Sequence, residues 1–96
     1  MIKLHWTNRA VDDLHALREY YGEAAPSYKE RITDQIFEKL DQLLIYPRSG
    51  RMVPEFENPR CREFIIGRYR IIHELTTETQ INILAIHSSA IPLGKM

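Results

Sequence analysis

The stretch from Arg62 to His87 leaves this chain few folds to choose from. It reads Arg62-Glu63-Phe64-Ile65-Ile66, then Gly67-Arg68, then Tyr69-Arg70-Ile71-Ile72-His73-Glu74-Leu75. A polar break at Thr76-Thr77-Glu78-Thr79 follows, and then Gln80-Ile81-Asn82-Ile83-Leu84-Ala85-Ile86-His87. β-Branched and aromatic residues dominate, and turn residues punctuate the run twice. The pattern predicts three strands over 62–66, 69–75 and 80–87, joined by tight turns. Arginines recur inside these strands. A guanidinium in a strand needs an anionic partner, which can be a structural carboxylate or a separate molecule.

The rest of the chain must cover that sheet. Ile2, Leu4 and Trp6 alternate with Lys3 and His5, which predicts a first strand. Thr7 is placed to cap a helix, with Asp12 and Asp13 expected in its first turn. Ala10, Leu14, Leu17 and Tyr21 make one apolar stripe, and Gly22 stops it. Pro26 opens a second helix. Its stripe is Ile32, Ile36, Leu40 and Leu43, widened by Phe37 and Leu44, and Pro47 ends it. The short link predicts an antiparallel helical hairpin. Residues 48–61 contain Gly50, Pro54 and Pro59 and read as a loop, with an edge strand at Met52-Val53. The fold class is therefore α+β: an N-terminal strand, a helical hairpin, and a 3–4-stranded antiparallel sheet. Ninety-six residues hold one core, so 1–96 is read as a single domain.

Charge narrows the function. The formal net charge is zero and the pI is near 6.9, which excludes a generic, strongly basic nucleic-acid coat protein. Between Arg48 and Arg70, however, six arginines face three glutamates and no lysine. Arginine offers a planar fork for phosphate or carboxylate. Cys61 is the single cysteine, read as a small semi-buried residue in a chain without an internal disulfide. The four histidines lack zinc-ligand spacing. No metal or cofactor is expected. The amino terminus is too short and polar for a signal peptide, and no apolar run reaches the roughly 18 residues of a membrane span. The chain is expected in the cytoplasm.

Several separated pieces together resemble the ParE/RelE toxin superfamily, the toxic partners of bacterial type II toxin–antitoxin modules. They are the strand ending in Trp6, Ala10 with Asp13-Leu14, Leu43 to Pro47, Pro47-Arg48-Ser49-Gly50-Arg51, Arg62-Glu63, Tyr69-Arg70-Ile71, and Ile83-Leu84-Ala85-Ile86-His87. The resemblance implies one scaffold with two activities. RelE-like and YoeB-like members cut messenger RNA on the ribosome, whereas ParE-like members poison DNA gyrase. It also implies a cognate antitoxin whose disordered segment folds around the toxin.

RNA cleavage through a 2′-hydroxyl needs a base, a cation for the phosphorane and an acid for the leaving oxygen. Arg70 matches the superfamily's strand arginine, with Arg51 and Arg62 as helpers. His87 is the single proton-transfer group near the end of the last strand, and no tyrosine follows Tyr69. Glu55 and Glu57 become candidate bases only if their loop folds over the sheet. That thin set favours the gyrase-binding branch, with Arg51, Arg62, Arg70 and His87 as partner-binding residues and no catalytic residue. In the ribonuclease alternative the same four are catalytic, and a further alternative is a non-toxic protein-binding relative.

Structural readings stand beside these. Arg70 can pair with Glu63 or Glu74 across strands, Arg62 likewise with its neighbour Glu63, and Arg51 can be a solvated loop residue. His87 is expected to share a core face with Ile81, Ile83 and Ala85. His73 is expected to be structural, and His5 and His15 to lie at the surface. On the gyrase-binding reading Arg70→Ala or Arg51→Ala weakens toxicity without unfolding the chain, whereas equal loss of solubility and toxicity points to structural roles.

Overall fold

The computed structural model describes residues 1–89 and Leu93. Strand β1 (Lys3–Trp6) leads into helix α1 (Asn8–Tyr21), and residues 22–25 connect it to helix α2 (Pro26–Ile45). Four strands follow: β2 (Arg51–Met52), β3 (Cys61–Ile66), β4 (Tyr69–Thr77) and β5 (Gln80–Ser88). They form one five-stranded sheet in the order β1-β5-β4-β3-β2. The expected sheet was antiparallel throughout, but β1 runs parallel to β5. Two helices lie between β1 and β5 in sequence, so the chain can return to pair in parallel, which no tight hairpin allows. The edge strand is shifted by one from Met52-Val53 because Val53 turns inward and is fully buried.

The helices cover one face. Ala10 and Leu17 from α1, with Ile32, Ile36, Leu40 and Leu43 from α2, pack on Phe64, Ile66, Ile71, Leu75, Ile81, Ile83 and Ile86. Phe37 and Leu44 do not widen that core. They stay largely exposed, Phe37 against the Trp6 ring at 5.8 Å. On the other face, Val53, Cys61 and Ile72 form a second cluster with Phe56, Leu84 and Leu93. The 53–60 loop thus folds back over the sheet face opposite the helices. Burial pushes the Cys61 thiol up, aided by the Glu74 charge, so it is an inert packing group.

Two tight turns shape the sheet. Gly67 has φ +56 at the first position of the Gly67-Arg68 turn, where a II′ hairpin favours glycine. Further along, Ile72 pairs with Ala85 and His73 with Ile83, so Leu84 is an extra residue on β5. This bulge inverts the alternation: Ile81, Ile83 and then Ile86 face the helices, while Leu84 joins the second cluster.

Helix α1 completes the sheet where β1 stops. Thr7 caps the helix by accepting from the Ala10 N–H at 3.2 Å. Its N–H donates to Ile83 O, and its hydroxyl lies within hydrogen-bond reach of both Ile83 O and Leu84 O. Neither Asp12 nor Asp13 is in the first helical turn, because the helix starts at Asn8. Asp13 Oδ2 instead accepts from the Ile86 N–H at 3.0 Å, just past the bulge. Removing that acceptor leaves a part-buried amide unpaired. Asp13→Ala should therefore lower stability by about 1–2 kcal/mol, and Asp13→Asn, which retains an acceptor, by less. Urea-unfolding midpoints of the two variants check this.

Candidate functional site

A charged network sits on the sheet face under the 53–60 loop. Its centre is Glu63, whose side chain is 0% exposed. One carboxylate oxygen accepts from Arg70 Nε at 2.6 Å and the other from Arg51 Nε at 2.7 Å. Arg70 then donates from Nη1 and Nη2 to the two oxygens of Glu55, both at 2.7 Å. Strand pairing sets this up. Arg51 lies opposite Glu63 in register, and Arg70 sits on the strand beyond, diagonal to it. Gly50 has φ +98, and a side chain there would meet Glu63 O at 2.9 Å, so the bend that brings β2 alongside needs glycine.

The electrostatics follow from the contacts. Hydrogen bonds from Arg70 hold the Glu55 carboxyl at about 2, far below its ordinary 4.5. Its partners Glu55 and Glu63 push the Arg70 guanidinium further up. Two guanidiniums stand against two carboxylates in the network.

The predicted site residues separate. Arg51, Arg70 and His87 come together, with His87 directly opposite Arg70 in register. Arg62 does not join them. It pairs in register with His73 on the helix side of the sheet and donates to Pro59 O and Gly50 O at 3.1 and 3.3 Å. It braces the loop. His87 is buried and engaged, but not on the face with Ile81 and Ile83, because the bulge at Leu84 turns it over. Arg70 is buried and held by Glu63 and Glu55 through all three of its guanidinium nitrogens, whereas Arg51 is 60% exposed. Glu74, the other carboxylate expected to hold Arg70, is in no such bond. His73 is structural: it is 1% exposed, stacks on Phe64 at 5.0 Å, and burial keeps its ring neutral. His5 and His15 are exposed.

Glu55 as the second clamp on Arg70, and the loop that carries it, were legible only as a condition. The signal was Val53 and Phe56, two apolar residues three apart in an otherwise polar loop, which need burial. Among the described residues no cluster of three or more His, Cys, Asp or Glu can hold a metal, and no helix is long and apolar enough to cross a membrane.

The family model for the ParE toxin of type II toxin–antitoxin systems matches residues 4–91. The chain belongs to the ParE toxin family. Toxin RelE2 of Caulobacter vibrioides is 28% identical over 90 residues, covering 94% of this chain and 98% of that protein. A solved chain from the chromosomal ParDE system of P. aeruginosa has the same fold, with a TM-score of 0.70 at 22% identity, over 92% of this chain and 96% of that one.

For a ParE family member, the ion network decides which arginine can be probed. Arg70→Ala takes one of two cations from the buried Glu63, leaving one of its oxygens unpaired, so it is expected to destabilise the chain and confound a toxicity readout. Glu63→Gln leaves two guanidiniums short of their anion and should cost about 3–5 kcal/mol at neutral pH. Glu55 acts with a defined sign. Its carboxyl is depressed in the folded chain, so its stabilisation is present above about 4.5 and lost as pH falls towards 2. Glu55→Gln should flatten the acid limb of the stability–pH curve over that window, measured by chemical denaturation at successive pH values.

Proposed function

We propose that this ParE-family toxin halts growth by binding DNA gyrase rather than by cutting RNA, and that a cognate antitoxin neutralises it. The observation that carries the reading is the internal use of the reactive groups. Arg70, the strand guanidinium that would steady a phosphorane, donates from Nε and both Nη atoms to protein carboxylates. Glu55, the carboxylate nearest to it, is tied up by that same fork and is a weak base at about 2. Adhesion needs none of these groups released. Arg51 is held by Glu63 through Nε while most of its side chain faces solvent, so its fork is preset for an acidic partner surface.

The antitoxin finds an apolar surface on α2. Phe37, Leu44, Ile45 and Tyr46 are all largely exposed, with Trp6 beside Phe37. Phe37 and Leu44 are seven residues apart, two helical turns, and lie on one side of the helix. A segment that folds on binding can bury such a stripe.

One observation favours the ribonuclease reading: Glu55, Arg70 and His87 do lie together on one face, as a ribosome-bound messenger RNA cutter would require. Inducing the chain in cells separates the two. Gyrase binding predicts filamentation with an SOS response, and Arg51→Lys, which keeps the Glu63 pairing but loses the fork, should relieve the growth defect at unchanged protein level. Codon-spaced transcript cuts that vanish in His87→Gln would overturn the proposal.

A further inference from the structure

At the end of the molecule where α1, α2 and the Gly67-Arg68 turn meet, tyrosines and arginines converge away from the ion network. The Tyr21 and Tyr28 rings pack edge to face at 4.6 Å, and Tyr20 packs edge-on to Tyr21 at 5.0 Å. The Tyr69 hydroxyl lies 3.4 Å from that of Tyr21. Arg31 places its guanidinium carbon 5.6 Å from the centre of the Tyr28 ring, and Arg68 lies close enough to act on the Tyr28 hydroxyl electrostatically.

Phenol hydroxyls and guanidiniums supply the donors here. Burial raises the Tyr28 and Tyr69 hydroxyls, so both stay protonated. Arg31 and Arg68 are exposed and join no ion pair among the described residues, whereas nearby Glu30 is already taken by Arg18 and Lys29. Gly67 carries no side chain over the Tyr28 hydroxyl, which lies 3.5 Å from where a Cβ would sit. Packed against Tyr21 is Tyr20, 77% exposed, a flat ring available to a second aromatic group.

We propose that this corner binds single-stranded nucleic acid, Arg31 and Arg68 gripping backbone phosphate while a base stacks on Tyr20. Guanidinium forks match phosphate oxygens, and an aromatic ring accepts any base without reading sequence. With a net charge of zero, the contact is local and salt-sensitive. It is independent of the gyrase reading, because it is measured on purified chain with no target or growth phenotype.

The test is fluorescence anisotropy of a labelled oligothymidylate of about twelve nucleotides, within the usual site-size range, titrated at several salt concentrations. Each single-strand phosphate contact contributes about 0.7 to the slope of log affinity against log salt. Arg31→Ala with Arg68→Ala should therefore lower the slope by about 1.4, and Tyr20→Ala should weaken binding at an unchanged slope. A control of equal charge change, Lys3→Ala with Arg48→Ala, should leave the slope in place. Circular dichroism checks that each variant is folded. No binding by wild type, or equal loss in the control, would overturn the proposal. So would inorganic phosphate shifting the Arg31 and Arg68 side-chain resonances while the oligonucleotide does not bind, which would make the corner a site for free anion.

Discussion

Glu63 is the point on which the sheet's far side depends. A carboxylate with no solvent access is costly to bury, and a single cation seldom offsets that cost. Here two guanidiniums come from two different strands, and each takes one oxygen. Arg51 thereby helps fasten the two-residue edge strand, beside the Arg62 bond to Gly50 O and the burial of Val53. Arg70 passes the constraint on to Glu55 and so to the 53–60 loop. Removing Glu63 therefore affects β2, β4 and the loop together. The net worth of such a network lies less in stability than in register, since a one-residue slip of β3 against β4 moves Glu63 to the helix side.

The helix side solves a different problem. Strand β1 covers only the first half of β5, which leaves edge amides and carbonyls near the bulge. Thr7 and Asp13 supply partners from α1, so the helix start and the bulge are one unit. A bulge away from such partners would leave backbone groups unpaired. Here it is held, and it turns His87 from the aliphatic core towards Arg70.

Much of this was legible in the residues. Period-two runs placed the strands, and Thr7, Pro26 and Gly67 marked boundaries that the structure keeps. The apolar stripes of both helices identified the core, although Phe37 and Leu44 lie too far round α2 to reach it. The assumption of unbroken alternation failed at Leu84, because a bulge leaves no mark in hydrophobic residues that suit either face. Arg62 was grouped with Arg51 and Arg70 by charge alone, but strand parity sends its side chain the other way. Glu55 depended on a loop whose path is set by Val53 and Phe56 finding a cluster built from β3, β4 and β5, which local sequence cannot specify.

These placements bear on how one scaffold serves unlike ends. An arginine that stabilises a reacting phosphate must have donors to spare when substrate arrives. One that organises a sheet has its guanidinium nitrogens already committed to protein carboxylates. Arg70 is of the second kind as long as the loop stays down, because Glu55 occupies the fork a phosphate would need. Moving from one role to the other would not require a new arginine. It would require a loop that no longer carries the competing carboxylate, with Glu63 still holding Nε. On the proposed reading, the identity of residue 55 and the apolar anchors on either side of it therefore bear more on adhesion against cleavage than the presence of the strand arginine does.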